Sequence, residues 1–231
     1  TSAFFKYAMY SSTKLNYNGQ NPAPDYWKNF PSNNVNVWEQ DANADWTGWQ
    51  ESYDYWTASK RNRQINWDKL YYTNQQLNST GKDAVYWVEA KHNDHMVTNL
   101  GSTFDWDINR TTKFRAGVQL ASNNGMHYTT MEDMLGAQNF HNLNTYAIGE
   151  YASSDPRVQY DLNNPNGVVR EGDRMRYDYD LWNQSARIWA GITKDKGISH
   201  NFLTAKIGGT QMWRNGYMNN GMCAGYSYGK S

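Results

Sequence analysis

Two alternating runs near the C-terminal end constrain this chain most. Residues 182–193 read Trp-Asn-Gln-Ser-Ala-Arg-Ile-Trp-Ala-Gly-Ile-Thr, and residues 202–213 read Phe-Leu-Thr-Ala-Lys-Ile-Gly-Gly-Thr-Gln-Met-Trp. Side chains alternate across a strand. Trp182, Ala186, Ile188, Ala190 and Ile192 therefore share one face, and Asn183, Ser185, Arg187, Gly191 and Thr193 lie mainly on the other. In the second run, Leu203, Ala205, Ile207 and Trp213 oppose Thr204, Lys206, Gly208 and Thr210. A strand of a sandwich also alternates. The length of these runs, the aromatics near their ends and the mid-strand charge on the polar side favour lipid outside and a wet interior.

A third run reads the same way. Phe114, Ala116, Val118 and Leu120 alternate with Lys113, Arg115, Gly117 and Gln119. Residues 94–108 place Met96, Leu100, Phe104, Trp106 and Ile108 on one face, with a shorter strand expected over 84–91 and another over 2–14. Residues 109–112 and 194–199 make short turns, whereas 15–64 and 124–173 read as long loops. A short helix is expected over 65–77, carried by Ile65, Leu70 and Leu77. Short turns alternating with long loops are the pattern of an outer-membrane barrel. The fold expected is all-β: an antiparallel up-and-down transmembrane β-barrel segment of about seven or eight strands with long extracellular loops.

Composition is consistent with ordered sheet carrying wet loops. Mean hydropathy is −0.93, yet aromatics make up 16% of the residues, which argues against disorder. The 22 basic and 22 acidic residues cancel, so no basic face for nucleic acid is expected. One cysteine, Cys223, excludes a disulfide within the chain. No run approaches the roughly 20 apolar residues of a membrane-spanning helix.

Motifs that carry chemistry are weak. Gly225-Tyr226-Ser227-Tyr228-Gly229 fits the G-x-S-x-G elbow, but a catalytic acid and His should follow and only Lys230 and Ser231 do. Ser11-Ser12-Thr13-Lys14 matches S-x-x-K without its companion motifs and reads as a strand end. Asp41, Asn43 and Asp45 have the first ligand spacing of an EF-hand, but Trp46 replaces the required Gly and Ser52 the bidentate Glu; a calcium site of another type would draw on Glu39 or Glu51. His92 and His95 face opposite sides of a strand, and His127, His141 and His200 have no ligand spacing. No catalytic residue, cofactor or metal site is assigned, and the chain is not expected to be an enzyme. The aromatic loop is the ligand-binding candidate, through Trp38, Trp46, Trp49, Tyr53 and Trp56, since flat rings among amides and carboxylates suit sugar faces or apolar ligands. Arg115, Gln119, Arg187, Thr193, Lys206 and Thr210 are the expected lumen-facing residues.

Several phrases resemble one family in order and spacing over nearly the whole chain. They are Pro24-Asp25-Tyr26-Trp27, Arg63-Gln64-Ile65-Asn66-Trp67-Asp68, and His92-Asn93-Asp94-His95-Met96. The stretch from His127 to Gly136, Asp161-Leu162-Asn163-Asn164-Pro165-Asn166, Glu171-Gly172-Asp173 with Tyr177-Asp178-Tyr179-Asp180, and Ser227-Tyr228-Gly229-Lys230 complete the set. The chain resembles the TonB-dependent outer-membrane receptors of Bacteroidetes-type bacteria, near the SusC-like branch. The resemblance implies that residues 1–231 are a partial receptor barrel without the plug domain, cut from a wall of 22 strands. It further implies a place in the outer membrane of a Gram-negative bacterium, with lipid around the wall. In the full-length receptor, TonB and a surface lipoprotein lid would be partners, and the cargo would be a nutrient such as a glycan, peptide or siderophore. The alternative is a soluble aromatic-rich β-sandwich that binds carbohydrate. The two differ in whether Phe114, Val118, Ile188, Ile192 and Ile207 are buried against a second sheet.

Overall fold

The computed structural model describes residues 1–35 and 44–231. It is mostly β: a single antiparallel sheet of seven strands, not closed into a barrel, with a few short helices. The strands are β1 (Ser2–Ala8), β2 (Ser11–Tyr17), β3 (Tyr86–Asn109), β4 (Thr112–Asp133), β5 (Arg174–Lys196), β6 (Ser199–Gly216) and β7 (Gly229–Lys230). Their order is β1-β3-β4-β5-β6-β7, with β2 also paired to β3. The helices are α1 (Trp46–Ala58), α2 (Trp67–Asn78) and the single turn α3 (Thr145–Ile148).

Four expectations are corrected. Residues 2–14 form two strands, broken at Met9-Tyr10, both of which pair with β3. The expected strands over 84–91 and 94–108 are one continuous strand. The polar run His92-Asn93-Asp94 looked like a break, but backbone bonds hold it extended: Asn93 N–H donates to the Tyr10 carbonyl at 2.8 Å, and Tyr10 N–H donates to Asp94 at 3.0 Å. The loop expected over 124–173 starts only after Asp133. Asn124-Gly125 looks like a turn, yet it pairs in register with Trp182 and Leu181, and ladder bonds outweigh local turn preference. The loop expected over 15–64 contains α1.

The chain divides into two compact units. One comprises residues 1–13, 90–130 and 142–231. In it β4, β5 and β6 pair over most of their length, so the faces can be read row by row. One face carries Phe114–Ile192–Leu203, Ala116–Ala190–Ala205, Val118–Ile188–Ile207, Leu120–Ala186–Gly209, Ser122–Gln184–Gln211 and Asn124–Trp182–Trp213. The opposite face carries Lys113–Thr193–Phe202, Arg115–Gly191–Thr204, Gly117–Trp189–Lys206, Gln119–Arg187–Gly208 and Ala121–Ser185–Thr210. Short turns at Arg110-Thr111 and Gly197-Ile198 join β3 to β4 and β5 to β6. Gly197 sits at φ 58°, where a side chain would be strained. A register shift after Tyr128 leaves Arg176 and Tyr177 of β5 unpaired, with Arg176 at φ 67°. This is a bulge that bends the strand. Beyond it the connection to β5 is ordered by its own bonds, such as Asn144 N–H to the Val158 carbonyl at 2.8 Å.

The aliphatic face is not covered by a second sheet among the described residues, which departs from the sandwich alternative. Val118, Ile188, Ile192 and Ile207 are 43, 56, 41 and 73% exposed, and Phe114 is half-buried.

The second unit comprises residues 14–89 and 131–141, and it has a core of the ordinary kind. Leu70, Tyr86 and Leu135 are buried together, with Leu15, Tyr17, Ile65, Val85 and Val88 against them. Helix α2 starts where Asn66 accepts from Lys69 N–H at 3.1 Å. Ile65 precedes that cap and packs with the Leu70 cluster, a hydrophobic staple that fixes how the chain enters the helix. The expected helix is therefore present, displaced by two residues at its start. On the same helix, Asn74 is fully buried and acts as a backbone clamp. Its Nδ2 donates to the carbonyls of Tyr86, Met134 and Leu135 at 2.7, 2.9 and 3.3 Å, and its Oδ1 accepts from the N–H groups of Val85 and Tyr86. Burial also raises the Tyr86 phenol above its ordinary pKa.

Candidate functional site

The aromatic candidates resolve into two groups. Helix α1 is capped by Asp45, whose carboxylate accepts from Gly48 N–H at 2.8 Å. Trp46, Trp49 and Tyr53 follow at helical spacing and form one pile on the helix. The Trp46 and Trp49 rings lie 6.4 Å apart, and Trp49 stacks on Tyr53 at 5.2 Å with 6° between planes. Two of the ring faces expected to meet a sugar are thus turned on each other. Trp56 is not part of the pile; it lines a pocket. Trp38 lies outside the described residues, as do Glu39, Asp41 and Asn43 of the calcium candidate. Among the described residues, no three His, Cys, Asp or Glu side chains are grouped to hold a metal.

The pocket has a volume of about 690 Å³, within the range of small-ligand sites. Its apolar walls are Phe30, Pro31, Trp56, Ile65 and Trp67, and its polar groups are Asp25, Arg63 and Gln64. Two of the quoted phrases, Pro24-Asp25 and Arg63-Gln64-Ile65 with Trp67, meet here from segments some forty residues apart. Two single 3-10 turns, Trp27–Asn29 and Pro31–Asn33, shape one wall. They are held by Asn29, whose Nδ2 donates to the Ala23 carbonyl at 3.0 Å. The other wall is the connection from α1 to α2. There Asn62 Nδ2 donates to the Tyr55 carbonyl at 2.6 Å, and Arg63 Nη1 donates to the Trp56 carbonyl at 3.2 Å. That bond uses one of the five guanidinium N–H groups. Among the described residues, the Asp25 carboxylate has no hydrogen bond or ion pair, and Arg63 has no acidic partner.

The six expected lumen residues lie on one face of the sheet. Arg115, Gln119, Arg187, Thr193, Lys206 and Thr210 all fall on the polar rows and all are exposed. Arg115 is ion-paired to Asp105, and Lys113 to Asp107 at 3.6 Å. Trp189 interrupts this polar face. Its indole lies over Gly117, where an added Cβ would come within 2.6 Å of the ring nitrogen.

The remaining motifs are structural. Ser11–Lys14 lies in β2. Gly225–Gly229 lies in a turn that ends in β7, without the strand-turn-helix setting of a nucleophile elbow. His92 stacks on Tyr128 at 4.4 Å and bonds Thr130, His141 pairs with Asp83, and His200 with Asp195.

Sequence reasoning found the rings but missed the pocket. Its signals were the Asp45 cap, the 46/49/53 spacing that makes α1 a helix, and two charges near aromatic residues, Asp25 before Tyr26-Trp27 and Arg63 before Trp67. Compared with protein-family models, curated proteins and solved structures, the chain matches none of them.

Proposed function

We propose that the chain is part of the wall of an outer-membrane TonB-dependent receptor of the SusC-like kind, which takes up a nutrient such as a glycan, peptide or siderophore. One observation carries this reading: the aliphatic face of the sheet is bare. Leu100, Phe104, Trp106, Ile108, Val118, Leu120, Ile188, Ile192, Leu203 and Ile207 are each 41–73% exposed. Ten such side chains present on the order of 1,000 Å² of apolar surface, beyond the ~300–600 Å² of the largest patch on a typical monomer. Lipid is the partner that fits a patch of this size on a strand face.

From Phe114 to the row of Trp182 and Trp213 this face covers ten steps, roughly 33 Å at about 3.3 Å per residue, or about 23 Å in height at a barrel tilt of about 45°. The aliphatic rows fill the first six steps, from Phe114 to Leu120, and the Ser122–Gln184–Gln211 row lies between them and the Trp pair. Trp182 and Trp213, stacked at 5.7 Å, lie past the aliphatic rows at one end, and Phe104 and Trp106 lie exposed on β3, two and one side chains short of the end residue Ile108 on the same face. Such rings mark membrane interfaces. Strand β6 has no partner along Ser199–Trp213 on its outer side among the described residues. An open edge of that length calls for further strands.

On this reading the face of Arg115, Arg187 and Lys206 looks into a wet lumen, and the long connection that holds the 690 Å³ pocket faces outward. TonB and a surface lipoprotein lid belong to the complete receptor, in the outer membrane of a Gram-negative bacterium. Transport makes no covalent change, so no catalytic residue is assigned. The test is folding of the purified chain into liposomes. Protection of β4, β5 and β6 from protease only when lipid is present supports the reading, and cooperative folding as a monomer in plain buffer overturns it.

A further inference from the structure

The charges in the pocket narrow the ligand class. Asp25 and Arg63 line the same space, carry opposite charge, and do not satisfy one another. Apart from the Gln64 amide, the rest of the lining is apolar, with Phe30, Trp56, Ile65 and Trp67 its large side chains. A neutral sugar would leave both charges without a counterpart. An anion alone would answer Arg63 and be repelled by Asp25. A purely apolar ligand would fill the aromatic walls and desolvate two charges without compensation, which is costly. A zwitterion with an apolar side chain answers all three features at once.

We propose that this pocket takes a short peptide with free ends and an apolar side chain. The carboxylate lies against the Arg63 guanidinium, the ammonium against the Asp25 carboxylate, and the side chain against Trp56 and Trp67. This rests on the uptake reading, and it names the cargo class for that reading. The guanidinium is suited to the task. Its fork donates two parallel N–H bonds to a carboxylate, and the bond its Nη1 donates to the Trp56 carbonyl fixes the side chain beforehand. Capture of both chain ends also sets a length limit, because the ends must reach both charges at once.

The experiment is calorimetric titration of the full chain, folded in detergent, with tri-leucine. Four probes accompany it: N-acetyl-tri-leucine, tri-leucine amide, free leucine and maltotriose. Tri-leucine is expected to bind, and blocking either end to weaken binding at least tenfold. Arg63→Gln should cost about tenfold toward tri-leucine and nothing toward the amide, and Arg63→Lys should restore part of the loss. Asp25→Asn should cost about tenfold toward tri-leucine and nothing toward the acetylated form. These pairings separate a ligand contact from a folding defect, since a misfolded variant loses every peptide alike. Equal binding of free and blocked peptide overturns the proposal. So does maltotriose binding in place of tri-leucine, or leucine binding as tightly as the tripeptide. Liposome insertion of the same preparations keeps the two readings apart. Insertion without peptide binding sinks only the ligand class, and peptide binding without insertion sinks only the membrane wall.

Discussion

Over its first nine residues, β3 buries Tyr86, Trp87, Glu89, Ala90 and Asp94. Over its last ten, the same strand leaves Leu100, Phe104, Trp106 and Ile108 about half exposed. The buried half hides polar groups with partners as readily as apolar ones. Glu89 accepts from Asn16 Nδ2 at 3.1 Å and from Trp87 Nε1 at 3.2 Å, and Asp94 accepts from Tyr128 OH at 2.9 Å. The exposed half sorts its residues differently. Asp105 and Asp107 pair with Arg115 and Lys113 on one face, and the aromatic and aliphatic residues crowd the other. A water-facing sheet with one solvated face covers its apolar side with another layer. Among the described residues, no such layer covers Leu100, Phe104, Trp106 and Ile108. The contrast teaches that one continuous strand can bury its side chains over one half and leave its apolar side chains bare over the other, which the proposed lipid contact would account for.

The strongest way to break this contrast is to charge the bare face. Ile188→Arg with Ile207→Arg places two cations side by side in the middle of the aliphatic rows. In a bilayer each costs about 2–4 kcal/mol near the midplane, so the pair should abolish insertion into liposomes. Gln119→Arg and Thr210→Arg, on the opposite face, should change folding by about 0.5 kcal/mol or less, as exposed substitutions do. Urea titration in lipid reads both. If the two pairs behave alike, lipid does not face Ile188.

The next effect tests the buried region. Asn74→Ala removes five hydrogen bonds to backbone groups, four of them buried, and should destabilise the second unit by about 3 kcal/mol. Hydrogen exchange at Val85 and Tyr86 should rise while amides of β5 and β6 stay protected. A uniform rise along the whole chain would mean that the two regions do not differ in the way their burial indicates.

A smaller effect sharpens the boundary of the band. Trp182 and Trp213 sit opposite each other and stack in parallel, an arrangement worth about 1 kcal/mol beyond the area buried. A double-mutant cycle with Trp182→Ala and Trp213→Ala should return a coupling of about that size. Both indoles should also be quenched by lipids brominated near the headgroup and not by lipids brominated at the chain end. Quenching at the chain end alone would move the edge of the band past this row.

The sheet was legible in the sequence where apolar and polar residues alternate without interruption. Rows such as Val118–Ile188–Ile207 keep strict alternation, and the faces assigned from sequence over 182–193, 202–213 and 113–120 are those in the ladder. Legibility failed where partners decide. His92-Asn93-Asp94 and Asn124-Gly125 carry turn residues but are held extended by Tyr10 and by Leu181 and Trp182. Helix α1 hid for another reason: Trp46, Trp49, Tyr53 and Trp56 share one face, but Tyr55 sits opposite them and Gly48, a poor helix former, lies in the first turn, which blurs the period. The pocket was beyond sequence reasoning altogether, since Asp25 and Arg63 come to line one space only once the turns at Trp27 and Pro31 and the Asn62 bond shape their segments.

The smallest effect is a pH response confined to the connection between β4 and β5. Arg157 Nε and Nη2 donate to the Asp155 carboxylate at 2.9 and 2.6 Å, and the Arg157 backbone N–H donates at 2.9 Å. The side-chain bonds from Arg157, followed by the backbone bond, hold the Asp155 carboxyl well below its ordinary range, at about 2. A depressed folded-state pKa means that this contact stabilises the folded connection above the unfolded value of about 3.9, and that its contribution fades as pH falls from there through about 2. The pair is on the surface, where such contacts contribute little. Only the local 3-10 turn at Pro156–Val158 should loosen, read as faster exchange at Val158, whose amide bonds the Asp155 carbonyl at 3.1 Å. Asp155→Asn should flatten the response over that window. Amides at Ile188 and Ile207, with no such carboxylate beside them in the ladder, should show no inflection there. An inflection at those strand amides between pH 4 and 2 would show that acid acts on the sheet as a whole, and the difference between the regions would then not extend to their titration.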